Sequence, residues 1–438
     1  MPLSLFSSPI YSGLFADEEL AQLLDDASDV AHMVLFERVL ARVQGHLNVI
    51  PHEAAEQIDE ALQNALPDPH RLSAGTRSAG IPVPALVAEL RQLVGGEAAQ
   101  WLHWGATTQD VMDTAQVLQI RSCLNVLEAR IKRLLDTLQT ESNHYADQLL
   151  AGRTRSQIST PITLGYRIAQ WAHPLINIES ALPDLRKAVL KVQFGGASGV
   201  NSAIAPEGPL VLKKLAEELD LHPSPSWHVN RSSILALAGW LQQICAALSK
   251  MAGDLILLGR TDIVEVSSGT GGGSSTMPQK ANPVQAETIR VLNRIALTAQ
   301  AGLAAAADPA EERDGSRWPL EWMYLPQMLL AAGTALNHAQ RLAESLAPHP
   351  EHLLATLDNN PEMMAETASF ILAKNGVARS EAKNLVAAAA ADSAPFAEAL
   401  AKVSPLEINW RTALDPKEVV EPAKEMSARI FAQRNLPD

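Results

Sequence analysis

Two long apolar seams constrain this chain more than anything else in it. From Asp113 to about Ser142, Val117, Ile120, Leu124, Leu127, Ile131, Leu134 and Leu138 recur in alternating three- and four-residue steps. Across residues 232–260 the pattern returns at Leu237, Leu241, Ile244, Leu248, Met251, Leu255 and Leu258. Such alternation is the heptad seam of a long helix packed nearly parallel to others. Two helices of roughly 30 residues, each about 45 Å long at 1.5 Å per residue, predict an elongated bundle. Apolar faces of this length are broader than one chain covers, so association of identical chains is expected. Shorter periodic stretches predict helices over 17–50, 52–66, 83–95, 161–190, 206–219, 284–308 and 319–345, with Asp17 or Asp25 capping the first and Pro174 kinking the fourth.

The expected class is therefore all-α, in three helical domains. Residues 1–112 form a small N-terminal domain. Residues 113–349 form the central long-helix bundle and hold a loop at 267–283. Residues 350–438, after Pro348 and Pro350, form a small C-terminal domain. The tract ALAKVSPLEINW in that last domain reads as a turn and docking segment, and nothing else there carries an assignable motif.

Composition removes several functional classes. A formal charge of −14 argues against a general nucleic-acid binder. Two cysteines, Cys123 and Cys245, far apart and outside any partner motif, exclude a disulfide framework and a cysteine-ligated zinc site. The twelve histidines show neither HxH nor HExxH spacing, so no metal is expected. No uninterrupted apolar run has the length of a membrane span, and MPLSLFSSPIYSG lacks the basic start of a signal peptide. A cytoplasmic protein without membrane or nucleic-acid partners is expected.

The chemistry concentrates in SSGTGGGSSTMPQKANP, residues 267–283. Gly269, Gly271, Gly272 and Gly273 permit sharp bends and close backbone approach. Ser274, Ser275, Lys280 and Asn282 then supply hydroxyls, a cation and an amide beside exposed N–H groups, a set suited to an anion. A phosphate-binding P-loop is excluded because Lys280 is followed by Ala281. The dinucleotide fingerprint fails because Ser274 stands where its last glycine belongs. Upstream, Thr107, Thr108, Gln109 and Asp110 cluster just before the first seam helix. Thr108 or Asp110 there is a helix cap, and the same helix N-terminus is a carboxylate site.

The block SSTMPQKANP resembles the GSSxMPxKxNP signature of the aspartase/fumarase superfamily, matching at Gly273, Ser274, Ser275, Met277, Pro278, Lys280, Asn282 and Pro283. HWGATTQD (103–110), GRTRSQISTP (152–161) and QFGGASG (193–199) resemble its other blocks in order, and the likeness covers most of residues 15–345. It implies a tetramer with a central helical core, whose active sites each draw on three subunits. Within the superfamily, HWGATTQDVMDTA, KVQFGGASG, SWHVNR and TMPQKANPV are most similar to the branch that lactonises a carboxylated muconate. A small polycarboxylate substrate and no cofactor follow from that likeness.

One departure is informative. Fumarase-like members carry Thr-His in the second block, where this chain has Thr154 and Arg155. That histidine is associated with proton transfer to or from the departing group. A carboxylate nucleophile is already ionised near neutral pH and needs no such help. Arg155 could then grip a substrate carboxylate bidentately, or pair with a structural acid. The resemblance makes Ser274 the proton-transfer group, its alkoxide stabilised by loop N–H groups and Lys280. Lys280 and Asn282 would hold the carboxylate on which charge accumulates, with Thr107, Thr108, Gln109, Gln157 and Ser275 placing the rest. Met277 and Pro278 shape the loop. His103 is either a site wall or a structural imidazole. His228 and Arg231 either reach the substrate or cap the surface. Arg313 and Arg317 are either an anion clamp or a solvated charge run. Two other functions stay open: release of fumarate from a succinyl-amine, as adenylosuccinate lyase performs, and a structural protein that keeps the fold without the chemistry.

Overall fold

The computed structural model describes residues 4–269, 271–273, 277 and 280–435. Helices dominate, joined by two short two-stranded antiparallel sheets. Both seams are helices, Thr108–His144 and Ser232–Leu258, and all fourteen seam residues named above are buried. Two further long helices, Val284–Ala306 and Pro319–Glu344, follow. By length and composition Ser232–Leu258 is apolar enough to cross a membrane, although polar residues interrupt it and half of its most apolar window is buried inside the protein. Its charged Asp254 accepts a hydrogen bond from Trp171 Nε1 at 2.7 Å.

The chain divides into two compact units. One comprises Met1–Arg130, Ala181–Ala246 and Val291–Leu336. Its N-terminal part is not a single helix over 17–50. Asp17 and Asp25 both act as caps, accepting from Leu20 N at 3.2 Å and Ser28 N at 2.7 Å, and so start two helices, Glu18–Leu23 and Asp26–His46. Pro69 likewise starts a helix, Pro69–Ala79, under the Asp68 cap. Proline at a first helical position loses no hydrogen bond, which is why punctuation and initiation look alike in sequence.

The other unit comprises Ile131–Ser180, Ala247–Arg290 and Asn337–Asp438. The helix expected over 161–190 is replaced at its start by a hairpin, Leu149–Thr154 with Gln157–Thr163. Its turn residues Arg155 and Ser156 have φ of 49° and 65°. Two successive positive values make the tight turn whose twist suits a hairpin. The helix Leu164–Ser180 comes next, running through Pro174; Leu182–Val189, which takes up the rest of the expected stretch, belongs to the first unit. The ALAKVSPLEINW tract ends the helix Phe396–Val403, makes a turn, and enters Trp410–Ala413. Trp410 buries in an apolar cluster with Phe396, Leu400, Leu372 and Met364.

Candidate active site

The first seam helix begins at Thr108, and Asp110 is the group on which its start is built. The Asp110 carboxylate is fully buried. One oxygen accepts from Thr107 N at 3.0 Å and Gly196 N at 2.9 Å; the other accepts from Gly195 N at 2.9 Å, His228 Nε2 at 2.8 Å and Gln193 Nε2 at 3.3 Å. Three of these donors are backbone amides, so the charge is solvated by the chain itself. The bond to Thr107 N closes the helix start in the manner of a capping box. The bond pair to 195 and 196 requires glycine there. A Cβ on Gly195 would lie 2.6 Å from Ser226 Oγ, and Gly196 has φ of 69° with a would-be Cβ 3.0 Å from Gly105 O. The Gly-rich bend is thus pulled onto the helix terminus. Beside it lies a cavity of about 460 Å³ whose lining includes Phe194, Gly199, Asn201, Leu212 and Ser226.

One turn along, Asp113 meets Arg231. Arg231 donates to both Asp113 oxygens, at 2.7 and 3.1 Å, and to both Glu321 oxygens, at 2.8 and 2.5 Å, while stacking on Trp227 at 4.7 Å. Trp318 Nε1 donates to Asp113 Oδ1 at 3.1 Å. Burial opposes the guanidinium's charge, but Asp113 and Glu321 outweigh it and hold its pKa up. Burial pushes the Glu321 carboxyl up, against the pull of Arg231. His228 and Arg231 are each 4% exposed. The surface-cap alternative for them is therefore wrong: each holds an acid of the seam helix.

The residues expected at the site divide by their commitments. Gln109 is buried with its amide spent within the protein: Nε2 donates to Asp113 Oδ2 at 3.2 Å and His228 O at 3.1 Å, and Oε1 accepts from Arg313 Nε at 3.0 Å. Its geometry is that of a brace within the protein. Arg313 also donates to Ala197 O at 3.3 Å, bracing the same glycine bend. Arg317 pairs at the surface with Asp308 at 3.1 Å. Thr107 and Thr108 are half-buried, and their hydroxyls have no partner among the described residues. His103 adopts a φ of 65° and its Nδ1 lies 2.5 Å from Glu37 Oε1.

In the second unit, Arg155 is exposed at the hairpin tip and its side chain has no partner among the described residues. The structural pairing falls instead to Arg153, whose NH1 and NH2 each lie 2.7 Å from a Glu265 oxygen. Gln157, exposed, opens the returning strand. Glu265 precedes the serine loop, whose ends are pinned. Val266 and Ser267 pair with Pro348 and Ala347. Gly269 N donates to Ser345 Oγ at 2.7 Å. Gly272 and Asn282 exchange backbone hydrogen bonds at 2.8 and 2.9 Å. Lys280 is exposed and Asn282 half-buried. Ser274 and Ser275 lie outside the described residues. Among the described residues no group of three or more His, Cys, Asp or Glu is placed to hold a metal ion.

Sequence reasoning missed Glu37, Glu321 and the Arg153–Glu265 pair. Each lies far in sequence from the group it serves, so no spacing announces it. For Asp110 a signal existed: an acid three residues after Thr107, the capping-box position.

Over residues 8–296 the sequence matches the model of a protein family described as lyase. The 3-carboxy-cis,cis-muconate cycloisomerase of Bradyrhizobium diazoefficiens is 32% identical over 426 residues, covering 95% of this chain and 94% of that protein. The protein of the same name from Pseudomonas aeruginosa is 34% identical over 388 residues, covering 87% and 84%. Among solved structures, the 3-carboxy-cis,cis-muconate lactonizing enzyme from Pseudomonas putida has a TM-score of 0.89 and 30% identity, over 98% of this chain and 99% of that one.

Proposed function

Because this chain belongs to the lyase family of the aspartase/fumarase superfamily, we propose that it lactonises 3-carboxy-cis,cis-muconate to a carboxymuconolactone without a cofactor. The step would serve aromatic catabolism through protocatechuate, the β-ketoadipate route, in the cytoplasm. The similar cycloisomerases span nearly the whole chain, which supports this reading. Within it, a carboxylate of the substrate adds to a double bond of the same molecule. Charge gathers on the carbon beside a second carboxylate, as an enediolate, and that carbon takes a proton.

Arg155 is the observation that carries this reading over its alternative, release of fumarate from a succinyl-amine such as adenylosuccinate. An amine leaving group needs a proton donor, and an arginine, protonated at any working pH, is a poor one. An exposed guanidinium without an acidic partner among the described residues is instead suited to a carboxylate. Ser274 transfers the proton, Lys280 and Asn282 hold the enediolate, and Thr107, Thr108, Gln157 and Ser275 place the remaining carboxylates. Arg313 contributes through its brace on Gln109.

The active form in this proposal is a homotetramer that shares its sites between subunits, built on the central 113–349 domain. The Val284–Ala306 helix leaves Val291 and Leu297 exposed, 39% and 46%, apolar surface that a second copy would cover. Leu248, by contrast, is fully buried within its own chain, so it reports on folding rather than on assembly. Leu297→Glu should yield smaller, folded species by light scattering; an unchanged tetramer would remove that helix from the interface.

The deciding experiment is a panel of carboxymuconate, adenylosuccinate and argininosuccinate, followed by ultraviolet absorbance with products identified by NMR. Loss of the conjugated diene with appearance of a lactone is expected. Fumarate from either succinyl compound would establish the alternative.

A further inference from the structure

The Asp26–His46 helix carries a charge that the mechanism above does not use. Glu37 is 1% exposed. Its Oε1 lies 2.5 Å from His103 Nδ1, and its Oε2 is buried with no partner among the described residues. A buried carboxylate with a single neutral hydrogen bond is costly, and the cost falls sharply when the partner is a cation. Among the described residues, His103 is the only group placed to be one at hydrogen-bond distance. It is itself held in the left-handed region, φ 65°, where few non-glycine residues sit. Its ring is only partly buried, 17% exposed, and Nε2 has no partner among the described residues. Four residues on, the hydroxyls of Thr107 and Thr108, which have no partner among the described residues, open a helix N-terminus, a ready site for an anion.

We propose that Glu37 is a positioning residue for substrate binding: it orients His103 through Nδ1–H and keeps the ring an imidazolium, whose Nε2–H then binds a substrate carboxylate beside Thr107 and Thr108. The inference rests on the tricarboxylate substrate assigned above. No covalent step is involved. Three charged groups face the ring from three helices: Glu37, Asp110 on the first seam helix, and Arg91 on Val83–Val94. Burial lowers the His103 pKa, as does Arg91, but Glu37 by charge and hydrogen bond, with Asp110, outweighs them and the net shift is upward. The sign is fixed by that. The imidazolium persists below the raised pKa, so binding weakens as pH rises through it.

Glu37→Gln tests this, because glutamine keeps the shape and can still accept from Nδ1–H while losing the charge. A purely structural role for Glu37 would leave the pH profile in place. We expect the rise of KM with pH to begin at lower pH in Glu37→Gln, with KM roughly tenfold higher at neutral pH, as for a lost charge-assisted hydrogen bond, and kcat within about threefold. His103→Gln should abolish that limb of the profile, and it covers the case in which Glu37→Gln fails to fold. Calorimetric binding of propane-1,2,3-tricarboxylate gives a second readout that needs no turnover. Should the wild type leave carboxymuconate untouched, the function would be wrong while the calorimetry still decides the Glu37–His103 pair. Superimposable pH profiles for wild type and Glu37→Gln, in both KM and tricarboxylate affinity, would overturn the proposal.

Discussion

Asp110 and His228 stand 118 residues apart in the chain and meet at 2.8 Å, the carboxylate fully buried and the imidazole 4% exposed. The same carboxylate takes amide hydrogens from Thr107, Gly195 and Gly196. One acid therefore sets the position of the helix start, the glycine bend and the SWHVNR segment relative to one another.

Asp110→Asn turns one acceptor oxygen into a donor that faces other donors. Leaving such groups unpaired while breaking a buried pair costs about 3–5 kcal/mol. A large drop in the urea midpoint is expected, with substrate binding weakened in whatever remains folded. A midpoint equal to wild type would show that the five hydrogen bonds are dispensable.

Arg231 neutralises two buried carboxylates at once. Arg231→Met leaves Asp113 and Glu321 facing each other uncompensated, a loss again of about 3–5 kcal/mol. Arg231→Lys should recover little, since one ammonium cannot reproduce four hydrogen bonds in a fixed fork. Chemical unfolding of both variants measures this, and full stability in Arg231→Lys would contradict it.

Ser274→Ala removes the assigned proton-transfer hydroxyl and leaves Lys280 and Asn282 in place. Turnover of carboxymuconate should fall by roughly 10² to 10⁴ while binding survives. Steady-state kinetics with direct binding measurements separate the two effects. A fully active Ser274→Ala would hand the proton to another group.

Arg155→His puts back the residue that fumarase-like members use. If the guanidinium grips a carboxylate, KM rises and kcat changes little, because a mostly neutral imidazole cannot replace a bidentate partner. A change confined to kcat would place position 155 in proton transfer instead.

Asp29, on the Asp26–His46 helix, is held at a pKa of about 6, raised from 3.8 by burial and then by the neighbouring Asp26. A carboxyl with a raised folded pKa takes up protons on folding, so its contribution to stability declines as pH rises between those two values. Asp29→Asn should therefore stabilise the protein at pH 8, by on the order of 2–3 kcal/mol, with the gain gone near pH 4. Thermal unfolding at the two pH values checks it; a gain equal at both would rule out the charge as its source.

The seam helices were legible in the sequence because helical periodicity is local. Each apolar residue announces its face through neighbours three and four positions away, and every seam position from Val117 to Leu258 is buried. The polar set of residues 267–283 stands out in the sequence for a different reason, since it sits within a single stretch. What surrounds these features depends on separations that no local pattern encodes. Gln109 reads as a substrate ligand until Arg313, 204 residues away, occupies its oxygen. Arg231 reads as a substrate contact or a surface cap until Asp113 and Glu321 close on it from separations of 118 and 90 residues. The hairpin at 149–163 stayed hidden because its turn carries Arg155 and Ser156 rather than the Asn-Gly that marks such turns. Sequence determined the seam helices and the faces they bury. Packing decided which polar groups are consumed in holding the fold and which, like the Thr107 and Thr108 hydroxyls, have no partner among the described residues, because a buried polar group must find its partner wherever the chain folds one against it.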